Sequence, residues 1–441
     1  MSIEAALQQY RLRNSNRLDL KDNLTDFPEQ IFSLADTLEI LDLSGNQLSA
    51  LPDDLPRLHR LRVLFCSNNL FTELPEVLGR CKNLSMVGFK SNQIEQIPAT
   101  ALGKSLRWLI LTDNRIREIP HSIGECSYLQ KLMLAGNQLS CLPDTLIQCN
   151  RLELVRIAAN RFNSFPDCLF KLPRLTWLAY AGNPCCEADR IQTGETPSIM
   201  SINWEALEIS HKLGEGASGH IYHSALRKEN RTENVAVKLF KGNMTSDGLP
   251  QSEMAAYIQA GSHPNLIPVL GKIDSHPEGS IGLVMALIDP AFRNLALPPS
   301  LESCTRDVYP EPLQLSLATV YRMAHDLAST AQHLHRRGIM HGDFYAHNIL
   351  HDGKGNCLLG DFGAASFLPD DTVLAAKMEQ IEIRAFGCLL EELINQYASN
   401  FPDSHPLRIL QQQCMDNVPD ERPTFTALVN TLRNIMENLP S

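Results

Sequence analysis

Residues 38–52 read Leu38-Glu-Ile-Leu41-Asp-Leu43-Ser-Gly-Asn46-Gln-Leu48-Ser-Ala-Leu51-Pro52, and the same line returns along the first half of the chain. The opening leucine recurs at Leu61, Leu84, Leu106, Leu129, Leu152 and Leu175, a step of 23 residues with a single 22. An asparagine column runs through Asn23, Asn46, Asn69, Asn92, Asn114, Asn137, Asn160 and Asn183. One such unit cannot bury its own leucines, so neighbours must stack them into a continuous core. The asparagine amide, with donors and an acceptor on one short side chain, suits the backbone groups at the turn.

The pattern L-x-x-L/V-x-L/F/I-x-x-N-x-L/I/F-x-x-L/I/F-P resembles the leucine-rich repeat. That resemblance implies an α/β solenoid of about eight turns over residues 17–187. Residues 1–16, with Ile3, Ala6, Leu7, Tyr10 and Leu12, are expected to form an amphipathic helix that caps the first repeat. The third and fifth positions of each unit should line the concave strand face and meet water. Among them Val63, Phe65, Met86, Trp108, Ile110, Met133, Leu154 and Trp177 make a mostly apolar stripe. A stripe of that size suits a protein partner, and self-docking of the second half of the chain is the alternative. Cys81, Cys126 and Cys149 share one position, three residues before an opening leucine, and are expected to be buried, reduced core residues.

Six segments of the second half belong together: Gly214-Glu-Gly216-Ala-Ser-Gly219-His-Ile221, Val235-Ala-Val237-Lys238, Glu253, His341-Gly-Asp343 with Asn348, Asp361-Phe362-Gly363, and Arg422-Pro423. A G-x-G-x-x-G run alone also marks dinucleotide-binding folds. There the glycines open a helix, whereas Ile221-Tyr222 and Val235-Ala-Val237 read as two strands about a polar turn, making the glycines a hairpin lid. Lys238 with Glu253 suits an ion pair that holds phosphate oxygens. Asp343, Asn348 and Asp361 supply the oxygen groups that Mg²⁺-ATP chemistry requires.

In this order the segments resemble a eukaryotic-type protein kinase domain over residues 205–441, and Trp204-Glu-Ala-Leu207, His263-Pro-Asn265-Leu266, Ala385-Phe386-Gly387 and Pro419-Asp-Glu-Arg422-Pro423 resemble its tyrosine-kinase and tyrosine-kinase-like branches in particular. The expected architecture is therefore an α/β leucine-rich repeat solenoid followed by an α+β bilobal protein-kinase-like domain. The linker would span residues 188–204, the small lobe 205–288 and the large lobe 289–441. The resemblance implies ATP and Mg²⁺ as cofactors. It places Leu213, Gly214, Glu215, Gly216, Ala217, Ser218, Gly219, Ile221, Ala236 and Lys238 around the nucleotide, with Met285 as gatekeeper and Ala286, Leu287 and Ile288 at the adenine. Asp343 would position the acceptor hydroxyl, Lys238 would pair with Glu253, and Asn348 and Asp361 would hold the metal. A protein hydroxyl is the implied acceptor, serine or threonine ahead of tyrosine.

Three departures surround the expected activation segment. Gly342 stands where H-R-D has arginine, which removes the usual charge partner of a phosphorylated loop. Ile381, 20 residues after Asp361, introduces the Glu382–Gly387 helix, so A-P-E and much of a peptide-docking loop are missing. Tyr345 and His347 occupy positions where Lys or Arg is usual. His341-Gly-Asp343 also resembles small-molecule phosphotransferases, one alternative; a nucleotide-binding pseudokinase scaffold is the other. Residues 298–309 read as an exposed insertion, and His333 and His335 as helix-surface residues.

A net charge of −11, with no basic run, argues against nucleic acid and anionic membranes as partners. The longest apolar run, Ile281 to Ile288, is too short to cross a bilayer, and the acidic start does not resemble a signal peptide, so a cytoplasmic protein is expected.

Overall fold

The computed structural model describes residues 3–12, 15–187, 199–216, 218–229, 231–242, 244–245, 247–397 and 402–438. The chain forms two compact units, residues 1–175 with 183–185, and residues 176–182 with 186–441.

In the first unit each repeat contributes one three-residue strand: β1 (Arg17–Asp19), β2 (Ile40–Asp42), β3 (Val63–Phe65), β4 (Met86–Gly88), β5 (Trp108–Ile110), β6 (Lys131–Met133) and β7 (Leu154–Arg156). They pair in parallel without a slip, so Arg17, Ile40, Val63, Met86, Trp108, Lys131 and Leu154 form one column. The return legs are short 3-10 turns, and those at Glu29–Leu34, Glu76–Arg80, Ala99–Ala101, His121–Glu125, Asp144–Gln148 and Asp167–Lys171 each follow a proline. Proline fixes φ in the range that the entry to such a turn needs.

The leucine column is buried, and the asparagines hold the turns. Asn114 Oδ1 accepts from Ile94 N (3.0 Å), while its Nδ2 donates to Phe89 O, Leu111 O and Thr112 O (2.9, 3.0 and 3.3 Å). The residue before the column asparagine takes a left-handed φ at Gly45, Asn68, Ser91, Asp113, Gly136, Ala159 and Gly182. Four of these seven carry a side chain, each at a cost of about 1 kcal/mol. Burial lifts the Cys81 and Cys126 thiols to about 11 and that of Cys149 to about 12. The N-terminal helix α1 spans Ile3–Leu12, and Tyr10 is buried with its hydroxyl on Thr37 Oγ1 (3.0 Å).

The apolar stripe differs from expectation. Val63, Met86, Leu154 and Trp177 are buried, and Phe65, Trp108, Ile110 and Met133 are only half-exposed. At sheet spacing, side chains of one column lie side by side and cover each other's flanks. Trp108 Nε1 points at Met133 Sδ (3.2 Å), the Lys131 ammonium lies over the Trp108 ring, and Phe65 fills the space a side chain at Gly88 would need.

The second unit opens with the strand of the last repeat, β8 (Trp177–Ala179). Its six-stranded sheet is built from β9 (Ser201–Asn203), β10 (Leu207–Glu215), β11 (Gly219–Lys228), β12 (Arg231–Phe240), β13 (Val269–Asp274) and β14 (Gly282–Ala286), in the order β10-β11-β12-β14-β13-β9. β9 pairs in parallel with β13 because Ile202 joins the core of Leu207, Leu226, Val235, Val237 and Val284. The stretch read as a linker therefore ends inside the sheet; its residues 188–198 lie outside the described residues. Helix α2 (Pro250–Ala260) follows the third hairpin strand.

The helical part contains α3 (Leu317–Arg336), α4 (Thr372–Asn395), α5 (Pro406–Cys414) and α6 (Phe425–Glu437), with the small strands β15 (Arg293–Asn294), β16 (Ile339–Met340), β17 (Ile349–His351), β18 (Cys357–Leu359) and β19 (Ser366–Phe367). α3 buries Val320, Tyr321, Ala324, Leu327, Ala328, Ala331 and Leu334, the stripe its 3.6-residue spacing predicts. α4 begins at Thr372, nine residues before Ile381, because the Asp371 carboxylate caps Val373 N and Leu374 N. The segment from Asp361 to the helix is thus shorter than the sequence suggests.

Candidate active site

The glycine-rich run bridges β10 and β11, whose antiparallel register places Gly214 opposite Ile221. Gly216 N donates to Gly219 O (3.0 Å), and Ala217 lies outside the described residues. Gly219 is required by close approach, since a Cβ there would stand 2.6 Å from Leu239 O. Glu215 is gripped by Lys212 and Lys241, whose hydrogen bonds hold its carboxyl down to about 2. Leu213 is exposed and Ser218 buried.

Lys238 lies near the end of β12 and meets Glu253 on α2 in a buried ion pair. Burial alone would lower the ammonium pKa, but Tyr257, Glu253 and Asp361 outweigh it, and Lys238 is held firmly protonated. β12 pairs with β14, setting Ala236 opposite Met285 and Lys238 opposite Leu283. Ala236 and Met285 are buried, and Ala286, Leu287 and Ile288 continue half-buried from that strand.

The catalytic-loop candidate follows β16. His341 is fully buried, donates from Nε2 to Gly360 O (3.0 Å) and accepts from Asp343 N at Nδ1 (3.3 Å), which fixes its tautomer. Asn348 Nδ2 donates to Asp343 O and Oδ2, both at 2.9 Å, leaving Oδ1 as the only amide atom able to take a cation. Asp361 has a left-handed φ of 51° and accepts from Gly363 N (3.1 Å). Phe362 is buried between Tyr257 of α2 (4.4 Å between centroids) and His341 (5.0 Å). One apolar contact thus ties the helix carrying Glu253 to the segment carrying Asp361.

Gly342 has φ +74°, its N–H donates to Glu382 Oε1 (2.8 Å), and a Cβ there would lie 2.4 Å from Leu178 O and 2.6 Å from Ala364 O. No other L-residue fits that position without displacing backbone. Glu382 is buried; burial would raise its pKa, but the hydrogen bonds from His335 (2.6 Å) and from Gly342 N–H outweigh it and lower it.

The model for protein tyrosine and serine/threonine kinases matches residues 207–388, and models of the leucine-rich repeat match residues 37–58 and 104–162. The chain carries leucine-rich repeats followed by a protein kinase domain. Fibroblast growth factor receptor 1 of Pleurodeles waltl is 23% identical over 313 residues, 56% of this chain and 38% of that protein. Dual specificity protein kinase pyk3 of Dictyostelium discoideum is 23% identical over 274 residues, 53% of this chain and 19% of that protein. The serine/threonine-protein kinase-transforming protein mos of Moloney murine sarcoma virus is 29% identical over 179 residues, 39% of this chain and 46% of that protein. The chain thus spans less than half the length of each. Among the described residues, no helix is long and apolar enough to cross a membrane.

The kinase domain also holds groups that sequence reading misplaced. The 298–309 insertion buries Cys304, Thr305 and Asp307, so it is not simply an exposed loop. Asp307 accepts from His347 Nδ1 (2.7 Å) and His347 N (2.9 Å), gripping the candidate catalytic loop one residue before Asn348. Burial works against the His347 charge, but Asp307, Asp343 and Asp361 prevail and raise its pKa. His335 and His333 are not plain helix-surface residues: the first bonds Glu382, and the second donates to Ala260 O (2.8 Å). Nothing in the local pattern flagged these pairs, since their partners lie 40, 47 and 73 residues away. Arg422 reaches backbone carbonyls, Gln380 O (2.7 Å) and Asp416 O (2.9 Å), a structural role.

Proposed function

We propose that the kinase domain transfers the γ-phosphate of ATP to a protein hydroxyl, serine or threonine ahead of tyrosine, and that the repeats select or restrain the partner. The observation that carries this reading is the assembled nucleotide side: Lys238 paired with Glu253, and Phe362 seated on Tyr257 of the same helix. The donor set suits Mg²⁺, which takes hard oxygens and keeps waters and phosphates as its other ligands. Asn348 Oδ1 and Asp361 would hold it, and when bound it would neutralise charge on the phosphates. Lys238 would hold phosphate oxygens, with Glu253 fixing the direction of its ammonium. Gly214 to Gly219 would cover the phosphates with backbone N–H groups, and Ala236, Met285 and the backbone of residues 286–288 would frame the adenine. The Asp343 carboxylate, steadied by Asn348 Nδ2, would orient the acceptor hydroxyl and take its proton. A cytoplasmic location belongs to the same reading, as does use of the half-exposed repeat positions Phe65, Trp108, Ile110 and Met133 by a protein partner.

The 11 residues from Asp361 to Asp371 favour one second reading, a phosphotransferase for small molecules, because they leave little chain for docking an extended peptide. The test is transfer from γ-labelled ATP to casein, to the protein itself and to a panel of small alcohols, with phosphoamino-acid analysis of any labelled protein. Asp343→Asn and Asp361→Asn should each reduce transfer at least about 100-fold while the protein stays folded. Label on alcohols alone would move the assignment to the second reading, and nucleotide binding without any transfer would leave a scaffold.

A further inference from the structure

Residues 176–182 carry the repeat pattern, yet they cluster with the kinase domain, and each of several side chains and backbone groups in this short stretch meets a different part of the catalytic apparatus. Trp177 is buried and its ring stacks on Tyr345 with centroids 4.1 Å apart and planes 8° apart. Tyr345 is itself buried two residues after Asp343, with its ring 5.0 Å from that of His347. Leu178 O occupies the space that a side chain at position 342 would need. The N–H groups of Tyr180 and Ala181 both donate to Ser366 Oγ at 3.1 Å. The Tyr180 hydroxyl donates to Phe367 O (2.8 Å) and lies 3.0 Å from Met378 Sδ on α4. Ser366 and Phe367 form β19, which pairs with β16 immediately before His341.

Resting on the reading above, we propose that the segment 176–182 is a built-in brace of the catalytic site, with Trp177 and Tyr180 as positioning residues for phosphoryl transfer. Trp177 fixes the Tyr345 ring and so shapes the acceptor side of the loop that carries Asp343. Tyr180 fixes β19 and so the short segment between Phe362 and α4. Two observations separate a brace from an inhibitory plug. The contacts satisfy the polar groups of the segment they touch, Ser366 Oγ and Phe367 O. The Lys238–Glu253 pair and the Phe362–Tyr257 contact are complete with the brace in place, whereas an inhibitory strap would be expected to hold them apart. The glycine of His341-Gly342-Asp343 is then the counterpart of the brace, because the backbone at Leu178 needs the room.

The experiment uses the full-length chain: wild type, Trp177→Ala, Trp177→Phe and Tyr180→Phe. It reads kcat and KM for ATP in transfer to casein or to the protein itself, beside the affinity for a fluorescent ATP analogue with Mg²⁺. The expected result is a fall in kcat of at least tenfold in Trp177→Ala and about threefold in Tyr180→Phe, with analogue affinity within twofold of wild type. Trp177→Phe, which keeps a stacking ring, should recover at least half of the lost rate. Tyr180→Phe removes a single oxygen and keeps the test alive where Trp177→Ala fails to fold. Unchanged kcat in both Trp177→Ala and Tyr180→Phe would overturn the proposal, as would a raised kcat, which marks an inhibitory contact. Loss of analogue affinity in parallel with kcat would also overturn it, since that marks a merely structural role. Wild type that transfers no phosphate would instead strike the function proposed above.

Discussion

On the proposed nucleotide side of the kinase domain, side chains meet across regular, neighbouring elements: Lys238 on β12 reaches Glu253 on α2, and Ala236 faces Met285 across one strand pair. On the acceptor side each unusual residue is answered by a segment remote in sequence: Leu178 O stands over Gly342, Trp177 lies on Tyr345, and Asp307 holds His347. The first side carries the motif residues of the kinase pattern, and on the second each departure from that pattern meets a specific partner in the structure. A departure from a motif is thus a poor sign of lost function when the structure supplies a matching partner for it. Gly342 is such a case: its left-handed φ and crowded backbone are one arrangement, and the absent arginine is its consequence.

The largest effect is expected at Lys238. Lys238→Met should lower phosphate transfer at least about 100-fold, since the remaining groups cannot replace a positioned charge at the phosphates. It should also cost about 3 kcal/mol in urea unfolding, because Glu253 would be left buried without its partner. Transfer within tenfold of wild type would mean that the side carrying the motif residues is not the working side. The acceptor side is tested next by restoring the arginine. Gly342→Arg should destabilise the protein by about 3 kcal/mol, combining a left-handed φ with displacement of Leu178 and Ala364 backbone. Wild-type stability in that variant, measured by the same unfolding curve, would show that the crowding imposes nothing.

The same contrast explains what could be read from the sequence. The repeat core was legible because its physics is periodic: one leucine spacing and one asparagine position recur, and Asn46, Asn69, Asn92, Asn114 and Asn137 each donate to carbonyls of their own turn and the preceding one. The Lys238–Glu253 pair was legible because short motifs carry its two residues in order. Asp307, Glu382 and Tyr180 were not, because each acts through bonds to residues far away in the chain, which leave no local pattern. The apolar stripe misled for a related reason. Alternation along a strand says which face a side chain takes, but its exposure depends on the neighbouring strands, as Trp108 over Lys131 shows.

The finest test of the comparison is whether the insertion steers the catalytic loop or merely passes it. Asp307 accepts from both the ring and the backbone N–H of His347, and its carboxylate is wholly buried, so a charge-assisted bond there should be worth about 1.5 kcal/mol. Asp307→Asn keeps the shape and one acceptor, and should cost about that much in stability together with a several-fold fall in kcat at unchanged ATP-analogue affinity. His347→Gln alone removes the other partner. In a double-mutant cycle the two changes should show a coupling of about 1 kcal/mol, because each variant leaves the other residue with the same lost bond. A coupling below about 0.3 kcal/mol would mean that Asp307 and His347 act independently. The acceptor side would then be held by residues 176–182 without help from the insertion, and the matched departures would shrink to those at Gly342 and Tyr345.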